Sequence, residues 1–210
     1  MMSEFIPQAT SIYGLSFFPQ MKYDDMDSDV ALFNHHFHGN PQLEISDLEL
    51  QQVEKVVSEF RNRPINIMEI GVCRNGERSF THVLLNKHPD SKYIGIDLDD
   101  KSFLNDPDKY ILTIQTDSLN QDGIRQALKD FSMIPLSILF IDGWHSVNMT
   151  INDWRYAEFV HRGGYIIMHD AHLHPGPQLL LQAIDLSKFD VKIPLEYIPG
   201  HYGIAIIKKL

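Results

Sequence analysis

Leu136-Ser137-Ile138-Leu139-Phe140-Ile141-Asp142-Gly143-Trp144-His145 is an apolar run that stops at a carboxylate and turns through glycine onto a histidine. A run this short, rich in isoleucine and leucine and closed by a turn signal, reads as a strand buried on both faces. Such a strand needs parallel neighbours with helices above and below, and the flanking sequence supplies them. Upstream, residues 65–70 read as a strand ending at Gly71, residues 77–85 as a helix, residues 93–97 and 110–114 as strands, and residues 123–131 as a helix. Downstream, Ile151, Trp154, Ala157 and Val160 recur at helical spacing across residues 147–161, and Gly163-Gly164 turns the chain. Residues 165–168 then form a fifth strand that stops at His169-Asp170, and residues 179–186 a further helix. The segments 191–197 and 202–207, parted by Pro199-Gly200, read as an antiparallel pair. The expected fold class is α/β: a doubly wound sheet, mostly parallel with an antiparallel C-terminal hairpin, helices on both faces.

Residues 1–43 lack a sustained period and are expected to form an irregular arm or lid, leaving 44–210 as one domain. The domain opens at Ser46 and Glu49, spaced as a capping box, before Leu48, Val53, Val56, Val57 and Phe60 recur at helical spacing. His35, His36 and His38 in the arm read as solvated rather than as a metal site. A formal net charge of −10 repels a phosphate backbone, which argues against nucleic acid as a partner. The single cysteine, Cys73, forms no disulfide and reads as a packed thiol, in keeping with a cytoplasmic protein. No basic, apolar leader and no bilayer-length run is present, so a membrane partner is not expected. A homo-oligomer is compatible with this composition.

In open α/β sheets ligands bind beyond the carboxyl ends of the strands. Glu69-Ile70-Gly71-Val72 with Gly76 follows the first strand, with glycines where backbone approaches a ligand closely. Asp97 ends the second strand, where a carboxylate can accept from two ribose hydroxyls. The plainer readings are a tight turn for Gly71 and a solvated loop end for Asp97. The G-x-G-x-x-G run of a dinucleotide site is missing, which favours a nucleoside without phosphates. At the fourth and fifth strand ends, Asp142, His145, His169 and Asp170 gather carboxylates and imidazoles suited to removing a proton or holding a metal. His174 reads as solvated, and Trp144 and Trp154 as core aromatics.

These motifs, in this order, resemble the class I S-adenosylmethionine-dependent methyltransferases. The nearest group is the small-molecule O-methyltransferases that include macrocin O-methyltransferase and cephalosporin hydroxylase-like proteins. The resemblance rests on Glu69 to Gly76, Gly95-Ile96-Asp97, Thr116-Asp117-Ser118, Phe140 to Ser146, Asp153-Trp154 and Gly163 to Asp170. It implies a Rossmann-like sheet and S-adenosylmethionine as cofactor. Glu69 and Gly71 would line its methionine end, Gly76 would belong to the same cofactor loop, Asp97 would hold the ribose, and Asp117 with Ser118 would meet the adenine. It further implies His145 as base, with Asp142, His169 and Asp170 as ligands of a divalent metal. His169 departs from the carboxylate or amide many relatives place there, and imidazole suits manganese, iron or zinc better than magnesium. The expected activity is methylation of a small-molecule acceptor, on oxygen, with nitrogen as the alternative acceptor atom. Two other classes stay open: a non-catalytic cofactor-binding module, and a metal-dependent oxygenase or hydrolase on the same fold.

Overall fold

The computed structural model describes residues 12–16, 46–61, 63–72, 91–194 and 202–210. Gly76, Cys73, the three arm histidines and the helix expected over 77–85 lie outside them. The seven strands are β1 (Asn66–Ile70), β2 (Lys92–Asp97), β3 (Ile111–Gln115), β4 (Leu136–Ile141), β5 (Val160–His169), β6 (Phe189–Lys192) and β7 (Ile204–Lys209). They form one sheet in the order β3-β2-β1-β4-β5-β7-β6. Pairing is parallel from β3 through β5, and β7 runs antiparallel to both β5 and β6. Strand order reverses between β1 and β4, and this is where ligands enter such sheets.

Alternate strand residues face opposite sides, as the two-residue period of a strand requires. Met68, Ile70, Leu139, Ile141, Ile166 and Met168 join one apolar cluster, while Ile67, Ile138, Phe140, Tyr165 and Ile167 join the other. Helix α1 (Asp47–Glu59) covers the second cluster through Val53, Val56 and Val57. Helices α2 (Gln121–Asp130), α3 (Val147–Trp154) and α4 (Pro175–Ala183) cover the first. The Ser46 and Glu49 capping box at the start of α1 is formed in both directions. No described helix is long and apolar enough to cross a membrane.

One expectation needs correction. The helix read over 147–161 stops at Trp154, passes through a 3-10 turn (Arg155–Phe159), and becomes strand at Val160. Buried Ala157 and Val160 mimic helical spacing because residues three apart also share a face of a 3-10 turn. Gly163-Gly164 is therefore inside β5. Leu136 pairs with Val160 and Ile138 with Tyr165, so the glycines form a bulge, with Gly163 at φ +79°. Within the expected arm, residues 12–16 dock on the body. Ile12 is buried, Trp154 Nε1 donates to the Tyr13 carbonyl at 2.9 Å, and Ser16 N donates to the Ala183 carbonyl at 2.7 Å.

Candidate active site

At the carboxyl end of the sheet, β1 and β4 meet through backbone. Gly71 adopts φ +80°, and a Cβ there would lie 2.0 Å from the Asp142 carbonyl oxygen. Only glycine permits this contact, so its demand comes from the neighbouring strand end as well as from any ligand. The Asp97 carboxylate accepts from Val72 N at 2.7 Å and Asp99 N at 2.8 Å, with Lys101 Nζ 4.0 Å away. One carboxylate thus fixes the loops after β1 and β2. Each of its oxygens keeps a further lone pair.

The other expected cofactor residues differ in exposure. Glu69 is buried and accepts from the Tyr93 hydroxyl. Asp117 is exposed and caps its own turn by accepting from Leu119 N at 2.9 Å. Ser118 is buried, its Oγ accepting from Asn152 Nδ2 at 3.3 Å and its carbonyl from the Tyr156 hydroxyl at 2.6 Å. Its side chain is thus engaged with α3 and its carbonyl with Tyr156. Beside it lies Asp153, 1% exposed, whose pKa burial pushes up to about 7 despite hydrogen bonds from Ser118 and Asn152. Asp153 supports the turn after β4, since a Cβ on Gly143 would lie 3.1 Å from its Oδ2.

Asp142, His145, His169 and Asp170 come together, as expected from their strand ends. His145 Nε2 lies 2.6 Å from Asp170 Oδ2 and 3.8 Å from Asp142 Oδ1. His169 Nδ1 lies 3.0 Å from Asp142 Oδ1 and 3.7 Å from Asp170 Oδ1. Burial disfavours the His145 cation, but Asp170, in charge and hydrogen bond, and Asp142 outweigh it and hold its pKa above the usual 6.5. Burial likewise opposes the His169 cation, and the Asp142 and Asp170 carboxylates overcome it. Asp170 sits at φ +57°, a strained backbone for a residue other than glycine and a common feature of working sites.

Two members of this cluster were hidden in the sequence. His174, expected in solvent, is buried; its ring stacks on His145 with centroids 4.7 Å apart. The signal that could have exposed it is its i+4 spacing from Asp170, which one turn of chain brings together. Glu49, read only as a capping residue, is 1% exposed, and its Oε1 accepts from Gly203 N at 2.8 Å. Its Oε2 points toward His169 Nε2 at 3.9 Å. Burial opposes its charge, yet His169 and Ser46 together lower its pKa to about 2. Trp144, expected in the core, is 41% exposed within the β4 to α3 turn, whereas Trp154 is fully buried as expected.

The donor atoms of Asp142, His169 and Asp170 lie within 4.8 Å of one another. One of the three is a buried imidazole already hydrogen-bonded to Asp142. That donor chemistry does not fit magnesium, which takes oxygen ligands.

No family model and no curated protein matches the chain. Solved structures do. The MycE methyltransferase of the mycinamycin pathway, in complex with magnesium, S-adenosylhomocysteine and mycinamycin VI, superposes with a TM-score of 0.56 at 17% identity over 90% of this chain. The chain spans 55% of the length of MycE. An O-methyltransferase from Bacillus cereus in complex with S-adenosylhomocysteine gives 0.58 at 12% identity, covering 88% of this chain and 91% of that one. CalS11, a TDP-rhamnose 3'-O-methyltransferase of calicheamicin biosynthesis, gives 0.54 at 13% identity, covering 91% and 97%. The strand order, the lone antiparallel β7 and these superpositions agree that the chain has the fold of the class I S-adenosylmethionine-dependent methyltransferases.

Proposed function

We propose that the protein transfers a methyl group from S-adenosylmethionine to a hydroxyl oxygen of a small-molecule acceptor. The observation that carries this reading is the His145 to Asp170 pair, 2.6 Å apart, on the strand end that Gly71 joins by direct backbone contact to the cofactor side. Glu69, Gly71, Asp97, Asp117 and Ser118 would hold the cofactor. With Nε2–H donated to Asp170, the His145 lone pair is at Nδ1, where it takes the acceptor proton. The acceptor oxygen displaces the sulfonium in line: the carbon–oxygen bond forms as the carbon–sulfur bond breaks, S-adenosylhomocysteine leaves, and the proton remains on His145. Holding both reactants in line is the main source of acceleration. The acidic surface charge favours a small acceptor over nucleic acid.

Calorimetric titration with S-adenosylhomocysteine tests the first half, and transfer of labelled methyl to a panel of hydroxylated compounds the second. Absence of binding by the folded protein would refute the reading. Once an acceptor is found, His145→Ala should lower turnover by roughly 10²–10⁴-fold with cofactor affinity near wild type. Full activity in that variant would remove His145 as base.

A further inference from the structure

His145, Asp170 and His174 present a second donor set, distinct from Asp142, His169 and Asp170. Asp170 divides its carboxylate between the two. Oδ1 faces His169 Nδ1 at 3.7 Å, while Oδ2 faces His145 Nε2 at 2.6 Å and His174 Nε2 at 4.0 Å. In the second set the three donor atoms lie within 4.8 Å of one another, and the two imidazoles are close to parallel, 26° apart. Their side chains are 17%, 9% and 10% exposed, so the donors are partly dehydrated already.

The backbone holds this arrangement from two directions. The Asp170 carbonyl accepts from Leu173 N at 3.1 Å and His174 N at 3.2 Å, which folds His174 back over Asp170. Two residues on, Gly176 N donates to the His145 carbonyl at 3.1 Å, and a Cβ on Gly176 would lie 2.2 Å from that oxygen. The start of α4 is therefore pressed onto the turn that carries His145. Both histidines are anchored by main chain, so ordering them costs little further entropy on ion binding.

Two imidazole nitrogens and one carboxylate oxygen, with the remaining positions open, are the donors of borderline divalent ions such as zinc, cobalt or iron(II), and not of magnesium. We infer that His145, Asp170 and His174 form a transition-metal site. Closing the donors onto an ion replaces the hydrogen bond between His145 and Asp170 with two metal bonds. His145 then holds the ion in place of a proton, so occupancy would stop any transfer in which His145 is the base. This consequence rests on the function proposed above; the site itself does not.

Cobalt(II) added to the metal-stripped full chain tests the site directly, since the shifted and intensified visible d–d bands of protein-bound cobalt, unlike the weak bands of the aqua ion, report ligation without any turnover. One equivalent should develop these bands, zinc should displace it stoichiometrically, and magnesium in roughly hundredfold excess should not. His174→Gln should weaken cobalt binding by roughly tenfold or more, while His169→Gln, altering only the other set, leaves it near wild type. Thermal midpoint and S-adenosylhomocysteine affinity, measured on each variant, separate ligand loss from misfolding; should His174→Gln unfold, His174→Asn replaces it. Absence of these bands from the wild-type protein would overturn the site. So would bands that persist in folded His174 variants but vanish in His169→Gln, because the ion would then sit on the other set. Cobalt binding without cofactor binding would uphold this site while refuting the methyltransferase reading.

Discussion

Asp153 is a carboxylate almost without water, and its environment makes a pH prediction. Its folded pKa of about 7 lies above the ordinary 3.8, so the folded state binds the extra proton between these values. Stability contributed by the protonated form is present below pH 3.8 and is lost as pH rises toward 7. At about 1.4 kcal/mol per unit the loss reaches a few kcal/mol. Asp153→Asn should therefore gain on wild type across this window and hold a constant advantage above it, read by denaturant unfolding at several pH values. A pH-independent difference would place the buried charge elsewhere. His145 gives a kinetic counterpart. On the proposed function His145 must be neutral to act as base, and its pKa stands above 6.5, so the rate should climb with pH through a value above 6.5, and Asp170→Asn should move that limb down. On the proposed function, Asp97→Ala should weaken S-adenosylhomocysteine by about tenfold or more, since the charge-assisted contact proposed with the ribose would be lost. An unchanged dissociation constant would take Asp97 out of the site. Asp142, His145, His169 and Asp170 were legible because strand ends are fixed by apolar runs that anyone can read in the chain. Glu49 and His174 were not, since their burial depends on Gly203 and His145, partners far away in sequence.

Among elements, the strands were the most legible, because a core on both faces demands the unbroken apolar runs buried in β1, β4 and β5. The transition from α3 to β5 was not. A glycine pair signals a break in regular structure but does not say whether the break separates two elements or bends one. Two glycines with nearly equal backbone angles separate those roles quantitatively. Gly71 at φ +80° would place a Cβ against the Asp142 carbonyl, whereas Gly163 at φ +79° has nothing within 4 Å of it. Gly163→Ala should cost only the left-handed backbone penalty, about 1–2 kcal/mol. Gly71→Ala carries that penalty plus the clash and should cost at least about 2 kcal/mol more, on the scale of overpacking. Equal losses in chemical denaturation would mean that the strand ends can part freely.

For the molecule as a whole, composition and element order were enough to anticipate a mostly parallel sheet with helices on both faces. They could not reveal that residues 12–16 complete its core, because a short anchor carries no period. A chain beginning at residue 17 loses the buried Ile12 and leaves Trp154 Nε1 without the Tyr13 carbonyl. Relative to a chain beginning at residue 12, it should be less stable by about 3 kcal/mol, combining side-chain burial with an orphaned donor. Matching thermal midpoints would show that the anchor is dispensable. The placement of β7 between β5 and β6 has a consequence for synthesis. Residues 189–192 leave the ribosome before residues 204–209, yet among the described residues β6 pairs in the sheet with β7 alone. The exposed flank of β5 must also wait, as must the carbonyls of Ala157, Glu158 and Val160, which accept from Lys209 Nζ. A nascent chain stalled before residue 204 therefore carries an open parallel edge that invites pairing with its neighbours on a polysome. Translation pauses in this stretch should raise the share of newly made protein lost to aggregation.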